Sequence, residues 1–189
     1  TRHRWLGWNP AGHLRFDTPA GGKTIAADAT ILALGGASWP RLGADGSWTT
    51  ILEHDGITIT PLAPANCGFR IAWSEHLRSK FAGTPLKRLA LSHAGEWIMG
   101  EALITRDGIE GGAVYALSSR LRKAIAADGT TTLLIDLRPD VSLDALSAKL
   151  SGPRGKQSLA SHLRKAGGLP PVAIALLHET ALATATPLA

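Results

Sequence analysis

Apolar and polar positions alternate along three short stretches at the N-terminus. These stretches cover residues 2–8, 13–19 and 23–29. Asparagine, proline and glycine separate them at residues 9–12 and 19–22, and these residue types favour turns. A period of two that is interrupted by turns predicts three short strands in a β-meander.

The apolar run that follows has no polar alternation. Residues 29–36 read "ATILALGG", and residues 31–34 are apolar throughout. Such a run is typical of a strand covered on both faces in a parallel or mixed α/β sheet. Residues 47–56 then predict a short helix that ends at Gly56, because glycine suits a helix C-terminus.

From Asn66 onward the pattern predicts a β-rich segment followed by helices. Residues 66–138 contain several strand-like stretches, with a hairpin turn at residues 93–95. One helix is predicted between Gly111 and Gly129, because four apolar residues recur at helical spacing: Val114, Leu117, Leu121 and Ile125. Residues 139–189 predict three helices that Gly-Pro and Gly-Gly pairs separate.

The positive charge raises the question of nucleic-acid binding. The chain has 189 residues and a net charge of +5, and clustered cations could neutralise phosphates. The basic residues are, however, scattered among apolar and acidic segments, and no RNA-binding or zinc-finger motif accompanies them. We therefore expect no nucleic-acid partner and favour a solvated basic face that attracts anionic ligands.

Membrane and metal sites are not indicated either. No run approaches the roughly 18 apolar residues of a spanning helix, and the N-terminal stretch lacks the apolar core of a signal peptide. Cys67 is the only cysteine, so neither an internal disulfide nor a cysteine cluster for zinc can form. The histidines lack metal-binding spacing. We expect a soluble, cytoplasmic protein without membrane partner or metal.

Glycines follow the predicted buried strand. Gly35 and Gly36 end it, and Gly43 and Gly46 flank Asp45. Because glycine has no Cβ, a ligand can approach its main chain closely, and positive φ angles are accessible to it. Two interpretations stay open from these residues alone, since the glycines could turn the chain or contact a nucleotide.

Three segments in a fixed order carry a resemblance to a known family. They read "ATILALGGASWPRLGADGSW", "ITITPLAPANCGF" and "GEALITRDGIEGGAVYALSSRLR". The chain resembles the BaiN-like flavoproteins, also described as NAD(FAD)-utilizing dehydrogenases or aminoacetone oxidase-like enzymes. This resemblance implies an α+β, multidomain fold, in which a Rossmann-like FAD-binding domain is interrupted by an inserted domain. Residues 1–65 would be part of the discontinuous FAD-binding domain, and residues 66–189 the inserted domain, with a β-barrel-like part (66–138) and a helical part (139–189).

The resemblance also implies which residues bind FAD. They lie at the end of the predicted strand and along the loop after it: Ala33, Leu34, Gly35, Gly36, Ala37, Gly43, Asp45 and Gly46. Ala44 departs from the family pattern, because many members carry a threonine hydroxyl there. NAD(P) would be an electron donor or acceptor. No residue is singled out as catalytic, and the small-molecule substrate is open.

Residues 105–115, "TRDGIEGGAVY", form a second candidate site. Gly108, Gly111 and Gly112 allow a tight loop into a helix, and Arg106 adds positive charge near a helix N-terminus that favours anions. By resemblance, this stretch belongs to the insert and faces the flavin cleft. An ordinary connection between a hairpin and a helix explains the same glycines, and we prefer that interpretation from the residues alone.

Other reactive residue types favour structural roles. Cys67 has no adjacent base to activate its thiol, so we expect a buried structural cysteine. Ser118 and Ser119 lie on a predicted helix outside any G-x-S-x-G motif. Among the six tryptophans, Trp39 lies beside the glycine loop, where it could stack on a cofactor.

The dinucleotide fingerprint and the final glycine-rich segment of the family have no counterpart in this sequence. We therefore expect the chain to be the central part of an FAD-dependent oxidoreductase, with the N- and C-terminal parts of the FAD-binding domain outside it. Because a pyrophosphate site needs a glycine loop and a helix N-terminus together, we expect the chain alone to be inactive and to bind FAD weakly or not at all. The alternative is a non-catalytic binding or interaction module of β-structure and helices.

Overall fold

The chain divides into two compact units. The computed structural model describes residues 2–184, and the units are Thr1–Pro64 and Ala65–Ala189. Within the described residues, no helix has the length and apolar character needed to cross a membrane. Whether the two units correspond to a cofactor-binding part and an insert stays a prediction.

The first unit begins with the predicted β-meander. Its strands are β1 (Arg4–Trp8), β2 (Leu14–Thr18) and β3 (Gly21–Ile25), paired antiparallel in the order β1-β2-β3. Between β1 and β2, the Asn9 side chain accepts hydrogen bonds from two main-chain N–H groups, at 3.0 and 2.9 Å. This Asx-type turn is the reason why asparagine stands at the first chain reversal.

The prediction of a buried strand at residues 31–34 is wrong for this structure. The segment forms no strand, and Ile31 is 92% exposed while Leu32 is 41% exposed. A strand needs neighbouring main-chain groups for its N–H and C=O groups, and no described strand pairs with this segment. The described residues therefore do not confirm the Rossmann-like part of the expected fold.

The predicted helix after the glycine loop is present. Helix α1 (Trp48–His54) buries Leu52 and is followed by Gly56 at a φ of 81°, as expected for a glycine after a helix end. A single 3₁₀ turn, Pro40–Leu42, precedes α1 within the loop. The first unit thus contains the meander, the loop and one short helix.

The second unit is built on a five-stranded antiparallel sheet. Its strands are β4 (Phe69–Arg70), β5 (Thr84–His93), β6 (Glu96–Thr105), β7 (Gly108–Glu110) and β8 (Leu134–Asp136). Their order is β4-β7-β6-β5-β8, and the sheet is curled into a half-barrel. This sheet confirms the β-rich segment that the sequence predicts.

The hairpin between β5 and β6 turns at the predicted place. Ala94 and Gly95 have φ angles of 50° and 85°, the positive values that a two-residue hairpin turn matching the strand twist requires. The pairing of β5 with β6 shifts register between Leu86 and Leu89, where Arg88 also has a positive φ of 52°. Such an irregularity bends a strand and increases its twist, which suits a curled sheet.

Five helices follow or interrupt this sheet. They are α2 (Glu75–Phe81), α3 (Gly112–Asp128), α4 (Leu143–Leu150), α5 (Leu159–Lys165) and α6 (Pro171–Thr184). The last four confirm the helices predicted from periodicity and glycine positions. Helix α2 lies within a stretch that the sequence pattern does not assign to a helix.

The main core lies between α3 and the concave sheet. Helix α3 buries Val114, Leu117 and Leu121, the apolar series seen in the sequence, while Ile125 is half-buried. Helix α6 adds three small or aliphatic side chains to the same core: Val172, Ala175 and Leu176. Burial of these side chains supplies the main favourable free energy of the second unit.

A hydrogen-bonded pair ties α2 to α6. The Glu179 carboxylate on α6 accepts from the Ser74 main-chain N–H at 2.8 Å and also from the Ser74 hydroxyl. The same hydroxyl oxygen accepts from the Leu77 N–H and so caps the start of α2. One serine therefore both begins a helix and fastens it to another.

Replacing Leu117 by alanine should destabilise the second unit by about 2–5 kcal/mol, because a fully buried leucine leaves a cavity that close packing cannot refill. Ser119→Ala on the same helix is the matched control, since Ser119 is exposed and the change is expected to stay within about 0.5 kcal/mol. Urea denaturation followed by far-ultraviolet circular dichroism measures both. Equal stability of the two variants would contradict the assigned core.

Candidate functional site

The glycine loop is held by contacts within the first unit. Gly35 has a φ of 75°, and its carbonyl oxygen accepts a hydrogen bond from the Trp48 indole Nε1–H at 3.1 Å. This bond joins the start of the loop to α1. The positive φ is the conformational reason for glycine at position 35.

The middle of the loop closes on itself. Trp39 and Ala44 exchange two main-chain hydrogen bonds of 3.2 Å across the 3₁₀ turn. Gly43 follows that turn at a φ of 91° and donates its N–H to the Pro40 carbonyl. Gly43 thus has a turn-forming role, and the Trp39 side chain, 67% exposed, is free of core packing.

Asp45 and Gly46 connect the loop to α1. The Asp45 carboxylate accepts the Ser47 main-chain N–H at 2.9 Å, and this bond lowers the pKa of that carboxyl below its usual value. Gly46 is buried, and a Cβ there would lie 2.9 Å from the Ala37 Cβ and 3.2 Å from Leu62 Cδ1. Close packing therefore explains Gly46 without a ligand.

The eight predicted cofactor-binding residues share one loop but differ in access. Leu34 is half-buried and Gly46 is buried, whereas the others are exposed: Ala33, Gly35, Gly36, Ala37, Gly43 and Asp45. Within residues 2–184, the main-chain N–H groups of residues 35–37 donate to no other residue. Gly36 also has open space where a Cβ would stand. Free N–H groups with open access fit one side of a phosphate or flavin site, and the assignment itself stays a prediction.

The second candidate loop, residues 105–115, connects β6, β7 and α3. A Cβ at Gly108 would lie 1.8 Å from the Phe69 carbonyl oxygen, and a Cβ at Gly111 would lie 2.9 Å from the Ala102 Cα. Both glycines are therefore required by close main-chain packing, as the interpretation of an ordinary connection expects. A role beside a cofactor is not needed to explain them.

The nucleophile candidates have structural surroundings. Ser118 is buried, and its hydroxyl donates to main-chain carbonyls of Ala65 and Tyr115. Ser119 is exposed, and Cys67 is a free cysteine that is half-buried rather than buried as expected. Among the described residues, no three His, Cys, Asp or Glu side chains come together as metal ligands would.

A protein family matches most of the second unit. It is described as "HI0933-like protein barrel and H2TH domain", and it matches residues 63–187, more than half of the chain. The chain belongs to this family. Its half-barrel sheet and following helices agree with the barrel and helical parts that the HI0933-like description names.

One curated relative supports the same assignment. The chain is 29% identical over 130 residues to the 3-dehydro-bile acid delta(4,6)-reductase of Clostridium scindens, an alignment that covers 67% of this chain. The aligned part spans 31% of the relative's length. Both comparisons confirm the resemblance to BaiN-like flavoproteins and indicate a flavin as the family's cofactor.

A cleft around α2 is not predicted by the sequence pattern. The segment "GFRIAWSEHLR" contributes a strand of only two residues and then α2, and its basic and aromatic side chains line a cavity. The available signal was Ser74, since a serine directly before a glutamate-initiated helix is a typical N-cap.

Gly46→Ala should destabilise the first unit more than Gly43→Ala. Both positions have positive φ, which costs an L-residue about 1–2 kcal/mol of stability. Only at position 46 would the new Cβ also collide with neighbouring side chains, and this overpacking costs about 1–3 kcal/mol more. Amide hydrogen exchange in α1 reports the difference. Equal exchange in the two variants would refute the packing of Gly46 against Ala37 and Leu62.

The Asp45 carboxyl should titrate below the usual aspartate range. The pKa of this carboxyl is lowered in the folded chain. The stability that its hydrogen bond contributes is therefore present above the unfolded pKa and is lost as the pH falls through the folded pKa. The Ser47 amide signal in an NMR titration should follow that protonation. The transition should vanish in Asp45→Asn, and a midpoint at or above the ordinary aspartate value would contradict the bond.

Proposed function

We propose that this chain is the central part of a longer FAD-dependent oxidoreductase. In this proposal, the first unit contributes to the FAD-binding domain and the second unit is the inserted domain. The observation that carries the proposal is the match of residues 63–187 to the HI0933-like family. The relative's length supports it, because the aligned part spans only 31% of that protein.

The exposed apolar segment also supports a longer polypeptide. Residues 31–34 have the composition of a strand covered on both faces, yet Ile31 is almost fully exposed. Covering such a side chain would contribute about 1.5–3 kcal/mol. We infer that further parts of the FAD-binding domain cover this segment and pair with its main chain.

The glycine loop would hold FAD through its main chain. The free N–H groups of residues 35–37 would bind the cofactor, Gly36 leaves space for close approach, and Trp39 lies exposed near them. The flavin, when bound, supplies the electron-transfer chemistry, and the chain's residues bind and orient it. NAD(P) would be the electron donor or acceptor.

In this proposal, the substrate is a small organic molecule. The named relative reduces a 3-dehydro-bile acid, and we carry over only the reaction class, electron transfer involving an organic substrate. A cytoplasmic setting accords with a single, unpaired cysteine.

Added FAD should form no tight, yellow, stoichiometric complex with the purified chain, whereas the polypeptide encoded by the full reading frame should retain FAD. Gly36→Val in that longer polypeptide should weaken FAD binding by at least about tenfold, because a branched side chain would occupy the cofactor's approach. Absorbance and flavin fluorescence during titration measure both effects.

Gly22→Val is the matched control for this experiment. Gly22 also lacks a positive φ and has open space around its Cβ position, but it belongs to β3 and not to the glycine loop. Full FAD retention in both variants would overturn the glycine-loop assignment. A full-length polypeptide without flavin would favour the alternative, a non-catalytic binding module.

A further inference from the structure

A cleft of about 350 Å³ opens in the second unit. Six residues line it: Arg70, Ile71, Ala72, Trp73, Arg78 and Asp107. They come from the end of β4, the segment leading into α2, α2 itself and the turn between β6 and β7. The volume lies within the usual range of small-molecule sites. We call it the Arg78 cleft.

Two hydrogen bonds to main-chain carbonyls hold the walls of the Arg78 cleft in place. The Ile71 N–H donates to the Asp107 carbonyl at 2.9 Å, and the Trp73 indole N–H donates to the Gly108 carbonyl at 3.0 Å. These two bonds fasten the segment after β4 to the β6–β7 turn. Fixed walls favour binding because little conformational freedom is lost when a ligand enters.

Arg78 is incompletely paired. Its Nε is buried and has no hydrogen-bond partner among the described residues. Its Nη2 lies 3.6 Å from Asp107 Oδ1, beyond hydrogen-bond distance, and the Asp107 side chain is 60% exposed. An ion pair that is long and exposed contributes little to stability, so a ligand oxygen could replace the Asp107 carboxylate beside Arg78 with little loss of free energy.

The remaining lining residues select for charge and shape. Arg70 is exposed and forms no ion pair with another described residue, so two guanidinium groups face one carboxylate. Ile71 and Trp73 are half-buried and offer an apolar wall beside these charges. A guanidinium fork matches a planar carboxylate, and the apolar wall matches an organic body rather than a bare inorganic anion.

We propose that the Arg78 cleft binds the carboxylate of a small organic acid. The Arg78 guanidinium takes the carboxylate in place of Asp107, Arg70 adds positive charge, and Ile71 and Trp73 contact the apolar body. This site goes beyond the proposed flavin function and does not depend on it, since every residue lies in the second unit. Binding can therefore be measured on this chain without a cofactor.

Benzoate is the probe, with benzyl alcohol as its uncharged counterpart and inorganic phosphate as an anion without an apolar body. At constant ionic strength, NMR follows the Trp73 indole N–H and the Arg78 Nε–H, assigned from Trp73→Phe and Arg78→Lys spectra. Benzoate should shift both signals with an affinity in the millimolar range, and benzyl alcohol should not. No saturable shift with benzoate, or tighter binding of phosphate, would overturn the proposal.

Three variants define the site. Arg78→Lys keeps the charge but loses the planar fork, and it should weaken benzoate binding by about tenfold. Asp107→Asn removes the competing carboxylate and should strengthen binding several-fold. Arg122→Lys is the matched control. The Arg122 Nε is also buried and has no partner within residues 2–184, but it lies on α3, outside the cleft lining.

Arg78→Lys and Asp107→Asn are expected to change benzoate affinity in opposite directions, and a general loss of folding would not produce this pattern. Asp107→Asn alters an exposed side chain and should leave the fold intact even where Arg78→Lys destabilises α2. Weaker or unchanged binding in Asp107→Asn, or an equal loss in Arg78→Lys and Arg122→Lys, would refute carboxylate recognition by Arg78.

Discussion

The close approach of β4 to β7 is the constraint on which much of the second unit depends. At Gly108, any Cβ would overlap the Phe69 carbonyl oxygen. Glycine therefore lets β4 pair at the sheet edge, and this pairing fixes where the chain enters α2. The same approach places the β6–β7 turn next to the segment after β4, so the walls of the Arg78 cleft follow from one missing side chain.

In the first unit, local hydrogen bonds shape the glycine loop, but one apolar segment, residues 31–34, is left uncovered. Hydrogen bonds from Trp48, and between Trp39 and Ala44, shape the glycine loop without any partner from elsewhere. Residues 31–34 have no such partners within the described chain. The loop is thus organised by contacts within the chain, so a ligand that bound it would incur only a small entropic cost of ordering the loop.

Features encoded by local signals were predictable from the sequence, and features created by distant contacts were not. The meander, the turn at Ala94 and Gly95, and α3 each follow from periodicity and turn residues a few positions apart. Three segments in a fixed order were also long enough to indicate the flavoprotein family. The strand predicted at residues 31–34 does not form because a strand needs neighbouring strands to pair with. The Arg78 cleft was not predicted because Arg78 and Asp107 are far apart in the sequence and come together only in the fold. The cofactor-binding role of Gly35 and Gly36 stays a prediction.

The Ser74–Glu179 pair has a consequence for the order of folding. The two residues are 105 positions apart, yet the Glu179 carboxylate accepts hydrogen bonds from the serine that caps the start of α2. During synthesis, the ribosome must release nearly the whole second unit before this helix start acquires its partner. Closing so long a loop carries an entropic cost that only later contacts repay. The sheet and α3, whose contacts are nearer in sequence, can therefore assemble first, with α6 locking α2 as the last step.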